Sequence, residues 1–212
     1  MYAVIGLGNP GRQYKWTRHN VGYEVINKLA YDYNIDMNKQ KFKAVIGEGR
    51  IGFEKVLLVQ PITYMNLSGE SVREIVSFYK LEPEDIIVTC DDINLPLSHI
   101  RIREKGSDGG QKGMRSILFQ LGYDNFARVR IGVGEKPKDW DLADYVLSKF
   151  REDENEDIIK GITDAADAIV SIIKTGGARE AMNKYNKKGS KEKPKKEERS
   201  DSEVDENGKP QS

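Results

Sequence analysis

With 212 residues, 38% hydrophobic and 32% charged, the chain is long enough to bury one substantial core and too short for two full catalytic domains with linkers. Its 34 Lys and Arg are balanced by 34 Asp and Glu, which excludes a globally basic nucleic-acid binder, so any phosphate recognition has to be local. A single cysteine excludes an intramolecular disulfide, the opening MYAVIGLGNP lacks the basic region and apolar stretch of a secretory signal, and no apolar run nears the roughly 20 residues that cross a bilayer; a soluble, cytoplasmic protein is expected.

Residues Tyr2 to Leu7 form the first strand candidate, and Val21, Val25, Ile26, Leu29, Ala30 and Tyr33 recur at helical spacing. KAVIGEGRI and EKVLLVQ, on either side of Gly52, read as a hairpin. Asn66 or Ser68 is positioned to cap a helix whose apolar face is Val72, Ile75, Val76 and Tyr79. DIIVTC is continuously apolar, as a strand covered on both faces should be. SHIRIRE and ARVRIGV alternate instead, with Ile100, Ile102, Val129 and Ile131 inward and Arg101, Arg103, Arg128 and Arg130 on the other face. Lys112 to Leu121 follows a glycine-rich loop and reads as a helix, and a longer helix runs from about Asn155 to Lys174, ended by Gly176 and Gly177. Strands interleaved with helices predict one α/β domain over 1–186: a mixed, mostly parallel twisted sheet with helices on both faces. From Lys187 the composition changes to a charged stretch in which Val204 is the one aliphatic residue. Such a segment buries too little apolar surface to offset its conformational entropy, so 187–212 is expected to be a disordered tail.

GLGNPG, Gly6 to Gly11, formally matches the glycine pattern of dinucleotide-binding loops. That use needs a helix starting within the glycine run, so that its N–H groups face the pyrophosphate. Here Pro10 removes one donor, and RQYKWTRHN shows no helical periodicity before Val21. The loop instead presents Asn9 at the C-terminal end of a strand, where open α/β sheets place their sites.

Ten residues later TRHN contains His19, one of two histidines. The strand DIIVTC ends on Asp91 and Asp92, and an aspartate there can accept the Nδ1–H of His19 and leave Nε2 free to take a proton from water. Asp91 has an alternative use as a cap for the following turn. His99, on the same strand face as Arg101 and Arg103, is expected at the surface or facing phosphate. Cys90, closing an apolar strand, reads as core filler rather than a nucleophile. No G-x-S-x-G, H-E-x-x-H or cysteine pair is present, so no cofactor or metal is expected and a metal-free attack by water is the chemistry that remains.

GLGNPGRQYKWTRHNVG, TYMNLSGESV, CDDINLPLSHIRIREKGSDGG and FARVRIGVG, in that order and spacing, closely resemble bacterial-type peptidyl-tRNA hydrolase, over nearly all of Met1 to about Lys187. The combination of G-N-P-G, T-R-H-N and M-N-L-S-G is specific where no single piece is. The resemblance implies a monomeric cytoplasmic esterase that cleaves the bond between a peptide and the terminal ribose of its tRNA. Carried over by motif, His19 is the general base, Asp91 its orienting partner, and Asn9 and Asn66 the amides that place the carbonyl and the water. It further implies that Tyr14, Tyr64 and Met65 line the substrate groove, and that Arg103 and Arg130 clamp the 5′-phosphate end of the acceptor stem. A solvated charged face is the alternative meaning of those arginines, and is the expectation for Lys105. Where the family commonly reads G-G-H-N-G, this chain has Gly109, Gly110, Gln111, Lys112 and Gly113; Lys112 then either donates to a peptide carbonyl or points to solvent. A catalytically silent RNA-binding relative is the second reading, disfavoured because His19, Asp91, Asn9 and Asn66 are all present.

Overall fold

The computed structural model describes residues 1–186; the tail expected over 187–212 lies outside the described residues. In chain order the strands are β1 (Tyr2–Gly6), β2 (Lys39–Lys41), β3 (Ala44–Ile51), β4 (Glu54–Pro61), β5 (Ile86–Asp92), β6 (Ile100–Arg103) and β7 (Ala127–Gly132). The helices are α1 (Val21–Asp32), α2 (Ser68–Tyr79), α3 (Lys112–Leu121), α4 (Leu142–Leu147), α5 (Asn155–Thr175) and α6 (Arg179–Tyr185). All seven strands join one sheet in the order β2-β3-β4-β1-β5-β7-β6. The mixed sheet is as expected, and its parallel pairings are confined to the central four strands, β4-β1-β5-β7. The outer pairings are antiparallel, because β3 and β4 form the hairpin predicted around Gly52 and β6 runs against β7.

The alternation along the strands divides the interior into two cores. Val4, Leu58, Ile87, Val129 and Ile131 face α1, α5 and α6, whereas Ala3, Ile5, Val59, Val88 and Cys90 face α2 and α3. The helical spacing read from the sequence is borne out by burial: Val25, Ile26 and Leu29 of α1 and Val72 and Ile75 of α2 are fully inaccessible. The expected cap of α2 is not found. Leu67 occupies the N-cap without a side-chain bond, because the Ser68 hydroxyl donates to the Met65 carbonyl at 2.9 Å and Asn66 projects outward.

Parallel order delivers the C-terminal ends of β1 and β5 side by side, and the start of α1 is pressed onto them. A Cβ on Gly22 would come within 2.6 Å of the Leu7 backbone and of the Thr89 carbonyl. Only glycine permits that approach, and it sets the turn preceding α1 directly over the end of β5.

Candidate active site

Between β1 and α1 the chain makes two short 3-10 turns, Arg12–Tyr14 and Arg18–Asn20. No helix starts at Gly8 or Gly11, which agrees with the rejection of the dinucleotide reading. Each residue of TRHN has a separate structural task. Thr17 bridges to Lys149. Arg18 is buried and donates to Glu154 at 2.7 Å and to the Val133 carbonyl at 2.8 Å, with its guanidinium over the Tyr145 and Phe150 rings. Asn20 closes a two-bond ring with the Asn9 backbone, accepting from its N–H and donating to its carbonyl, both at 2.9 Å. His19, only 8% exposed, is thereby held from both sides.

Its Nδ1 lies 2.9 Å from both carboxylate oxygens of Asp91. An ionised carboxylate only accepts, so this contact puts the imidazole proton on Nδ1 and leaves Nε2 with a lone pair. Burial works against the charged imidazolium, but the Asp91 carboxylate and its hydrogen bond outweigh that effect and hold the pKa above the usual 6.5, with the Lys112 ammonium opposing them.

His19 and Asp91 border a cavity of about 560 Å³, shared with Asn9, Tyr64, Met65, Asn66 and Lys112. The structure thus brings together seven of the eight catalytic and groove residues expected from the sequence. Tyr14 is the exception: it sits half-buried on the first 3-10 turn, outside the cavity wall. Asn9 is fixed by its own Oδ1, which accepts the Met65 N–H at 2.8 Å, so its Nδ2 is the donor left for the cavity. Asn66 is exposed in the wall. Between them Tyr64 adopts φ 57 and ψ 158, a region that costs a non-glycine residue of order 1–3 kcal/mol and that clusters at functional sites. The strain aims the Met65 N–H at Asn9 and turns the Tyr64 ring outward, where it is 54% exposed.

Sequence reasoning missed two parts of the site. One is α4, which with its N-cap Asp141 contributes Leu142, Ala143, Val146 and Leu147 to the wall. Six residues give too little periodicity to be seen, although Asp141 before an apolar pair was a readable cap. The other is Gln111, whose Nε2 donates to Asp91 Oδ1 at 3.0 Å.

The arginine face needs correction. In the β6–β7 register Arg101 opposes Arg130 and Arg103 opposes Arg128, so all four share one side as predicted. They do not share an environment. Arg101 and Arg103 are exposed, as is Lys105, whereas Arg128 and Arg130 are buried beneath the loop after β6 and are not part of a solvated face. Arg128 donates to the carbonyls of Gly106, Ser107 and Asp124, and Arg130 to the Ser107 carbonyl at 2.9 Å and Asp92 at 3.3 Å. His99 is half-buried in the turn before β6, its Nδ1 near the Leu97 carbonyl, and away from the cavity. Cys90 is core filler, its thiol pushed up to about 12 by burial. Among the described residues no group of three or more His, Cys, Asp or Glu is placed to hold a metal, and no helix is long and apolar enough to cross a membrane.

Comparison with known proteins supplies an independent line. Residues 3–195 match the family model described as peptidyl-tRNA hydrolase. The chain is 53% identical to a peptidyl-tRNA hydrolase of Lachnoclostridium phytofermentans, over 89% of this chain and 98% of the relative. It is 55% identical to one of Clostridium perfringens strain SM101, over 88% and 97%. Among solved structures, the crystal structure of the Acinetobacter baumannii peptidyl-tRNA hydrolase superposes with TM-score 0.82 at 35% identity, covering 88% of this chain and 94% of that one.

Proposed function

This chain belongs to the peptidyl-tRNA hydrolase family and hydrolyses peptidyl-tRNA, and from that premise we propose that His19 is the general base, with Asp91 fixing its tautomer. The observation that carries the reading is the buried 2.9 Å contact of His19 Nδ1 with Asp91 at the wall of a 560 Å³ cavity. Nε2 of His19 takes a proton from water as the water oxygen attacks the ester carbonyl. The tetrahedral oxyanion is met by the amides of Asn9 and Asn66, acting as fixed donors that need no reorganisation. Collapse breaks the bond to the ribose oxygen, which recovers the proton from the imidazolium, leaving free tRNA and a peptide carboxylic acid that gives up its own proton to solvent.

The rest of the cavity suits a peptide. Met65, Ile93, Leu142, Val146 and Leu147 offer apolar surface, Tyr64 a ring, and Lys112 a charge-assisted donor to a peptide carbonyl. Tyr14, outside the cavity wall, has no part in the chemistry. Arg103 and Arg130 meet the acceptor-stem phosphate, Arg103 as the accessible contact and Arg130 from behind. Recognition is by shape and backbone, since A-form helices withhold their base edges from side chains. This reading carries with it a monomeric, cytoplasmic enzyme without cofactor, its folded domain spanning 1–186.

The test is release of N-acetyl-aminoacyl groups from tRNA by the native chain and by His19→Ala, with no added metal. Loss of turnover with tRNA binding retained is expected. Undiminished hydrolysis in the variant, or a metal requirement in the native enzyme, overturns the mechanism; binding without turnover by the native chain favours the silent RNA-binding alternative.

A further inference from the structure

Gln111 is 6% exposed and every polar atom of its side chain is committed. Its Oε1 accepts the N–H of Met114 at 2.7 Å and so caps α3. Its Nε2 lies 3.0 Å from Asp91 Oδ1 and 3.0 Å from Met65 Sδ. The orientation of the amide is not arbitrary: a backbone N–H can only donate, so the oxygen must face Met114 and the NH₂ must face the aspartate. Capping alone does not account for the residue, because the favoured caps are the shorter Ser, Thr, Asp and Asn. The extra reach of glutamine is what lets one side chain hold the helix and the carboxylate together. Close packing on the neighbouring backbone keeps it there, since a Cβ on Gly113 would fall 3.1 Å from Gln111 Oε1 and 2.5 Å from Met65 Sδ.

Asp91 stands within reach of His19 Nδ1 through both oxygens, which by itself leaves the carboxylate free to tilt. A second donor on Oδ1 breaks that degeneracy and reserves Oδ2 for the imidazole. We propose that Gln111 is a positioning residue for the hydrolysis, an uncharged clamp that sets the plane of the Asp91 carboxylate and draws off part of its charge, so that His19 stays oriented yet deprotonated while working. The inference rests on the assignment of His19 and Asp91 in the preceding section. The groups around the pair are His19 from the turn before α1, Cys90 and Asp92 flanking Asp91 on its own strand, Arg130 of β7 through Asp92, and Lys112 from α3, whose charge bears on His19. Gln111 alone of the Asp91 contacts carries neither charge nor proton equilibrium, so its effect is constant across pH.

Gln111→Glu isolates the contribution. It retains an oxygen to cap Met114 but turns an acceptor toward Asp91, so a second carboxylate faces the first. Added negative charge favours the imidazolium, and the acid limb of kcat/KM is expected to move to higher pH by roughly one unit, about a tenfold loss on that limb with KM little changed. Gln111→Met, similar in volume and lacking both bonds, is expected to move the limb the same way by less and to lower the melting temperature through loss of the cap. An unmoved limb in both variants, with stability alone affected, would reduce Gln111 to a helix cap and overturn the proposal. His19→Ala separates the two levels. If that variant stays active, the general-base assignment fails; if it is inactive while the Gln111 variants keep the native limb, this inference alone fails.

Discussion

The His19 turn and the arginine face of β6–β7 are both polar clusters at the edge of the α/β core, and they are built in opposite ways. Around His19 each side chain has a fixed partner: Arg18 the Glu154 carboxylate, Asn20 the Asn9 backbone, Asn9 the Met65 N–H, Asp91 the Gln111 amide. On the arginine face an identical residue type recurs four times on one side of the sheet, yet the inner pair is buried among carbonyls and one aspartate while the outer pair meets solvent. Period-two alternation fixes which side of a strand a residue takes; what covers that side fixes its chemistry. A polar cluster fixed on every side and a charged face that is half buried and half solvated follow from the two constructions.

Substitutions should break the comparison in a definite order. His19→Ala removes the proposed base and should lower kcat/KM by about 10² to 10⁴, with folding intact by circular dichroism. Arg18→Ala takes from the partly buried Glu154 its nearer cation and leaves the Arg151 guanidinium at 3.7 Å, which should cost about 1–3 kcal/mol; urea unfolding should register it, and turnover should fall because the His19 turn loosens. An unchanged midpoint would mean the turn is held by its backbone alone. On the arginine face, Arg103→Ala should weaken tRNA substrates several-fold and lower the slope of log affinity against log salt by about one, leaving a short ribose-ester fragment unaffected. Arg130→Ala should impair both substrates, since it also frees Asp92 and the Ser107 carbonyl. Equal, tRNA-only losses in the two variants would make Arg130 a pure phosphate contact. Lys105→Ala should change least of all.

Acidity sharpens the contrast. Because the folded pKa of His19 is raised above 6.5, the His19–Asp91 pair contributes stability that is fully present below about 6.5, the unfolded value, and is lost as pH rises through the folded value. Activity runs the other way, growing as Nε2 is deprotonated through the same window. Stability and turnover measured across that window should therefore cross. A rate that falls on raising the pH there would contradict the base role.

The strands of the central sheet, the hairpin at Gly52 and the helices α1, α2, α3 and α5 were legible because periodicity and turn residues extend over many positions. That His19, Asp91, Asn9 and Asn66 meet at one cavity was legible through the combination of motifs. The short helices α4 and α6 and the strand β2 carried too few residues to show a period. Burial of Arg128 and Arg130 was illegible for a different reason: it depends on the loop through Gly106 and Ser107 folding back over β7, a tertiary event that alternation does not encode. Gln111 stood out in the sequence as a departure from the family pattern, but its bond to Asp91 joins residues 20 apart and needed the end of β5 and the start of α3 in place.

The central claim is that Asp91 fixes the tautomer and raises the basicity of His19, and nitrogen-15 NMR of the histidine ring across pH addresses it directly. The expected result is a neutral imidazole protonated on Nδ1 that titrates above 6.5 and falls toward or below that ordinary value in Asp91→Asn. A neutral ring protonated on Nε2, or a titration indifferent to Asp91, would contradict it.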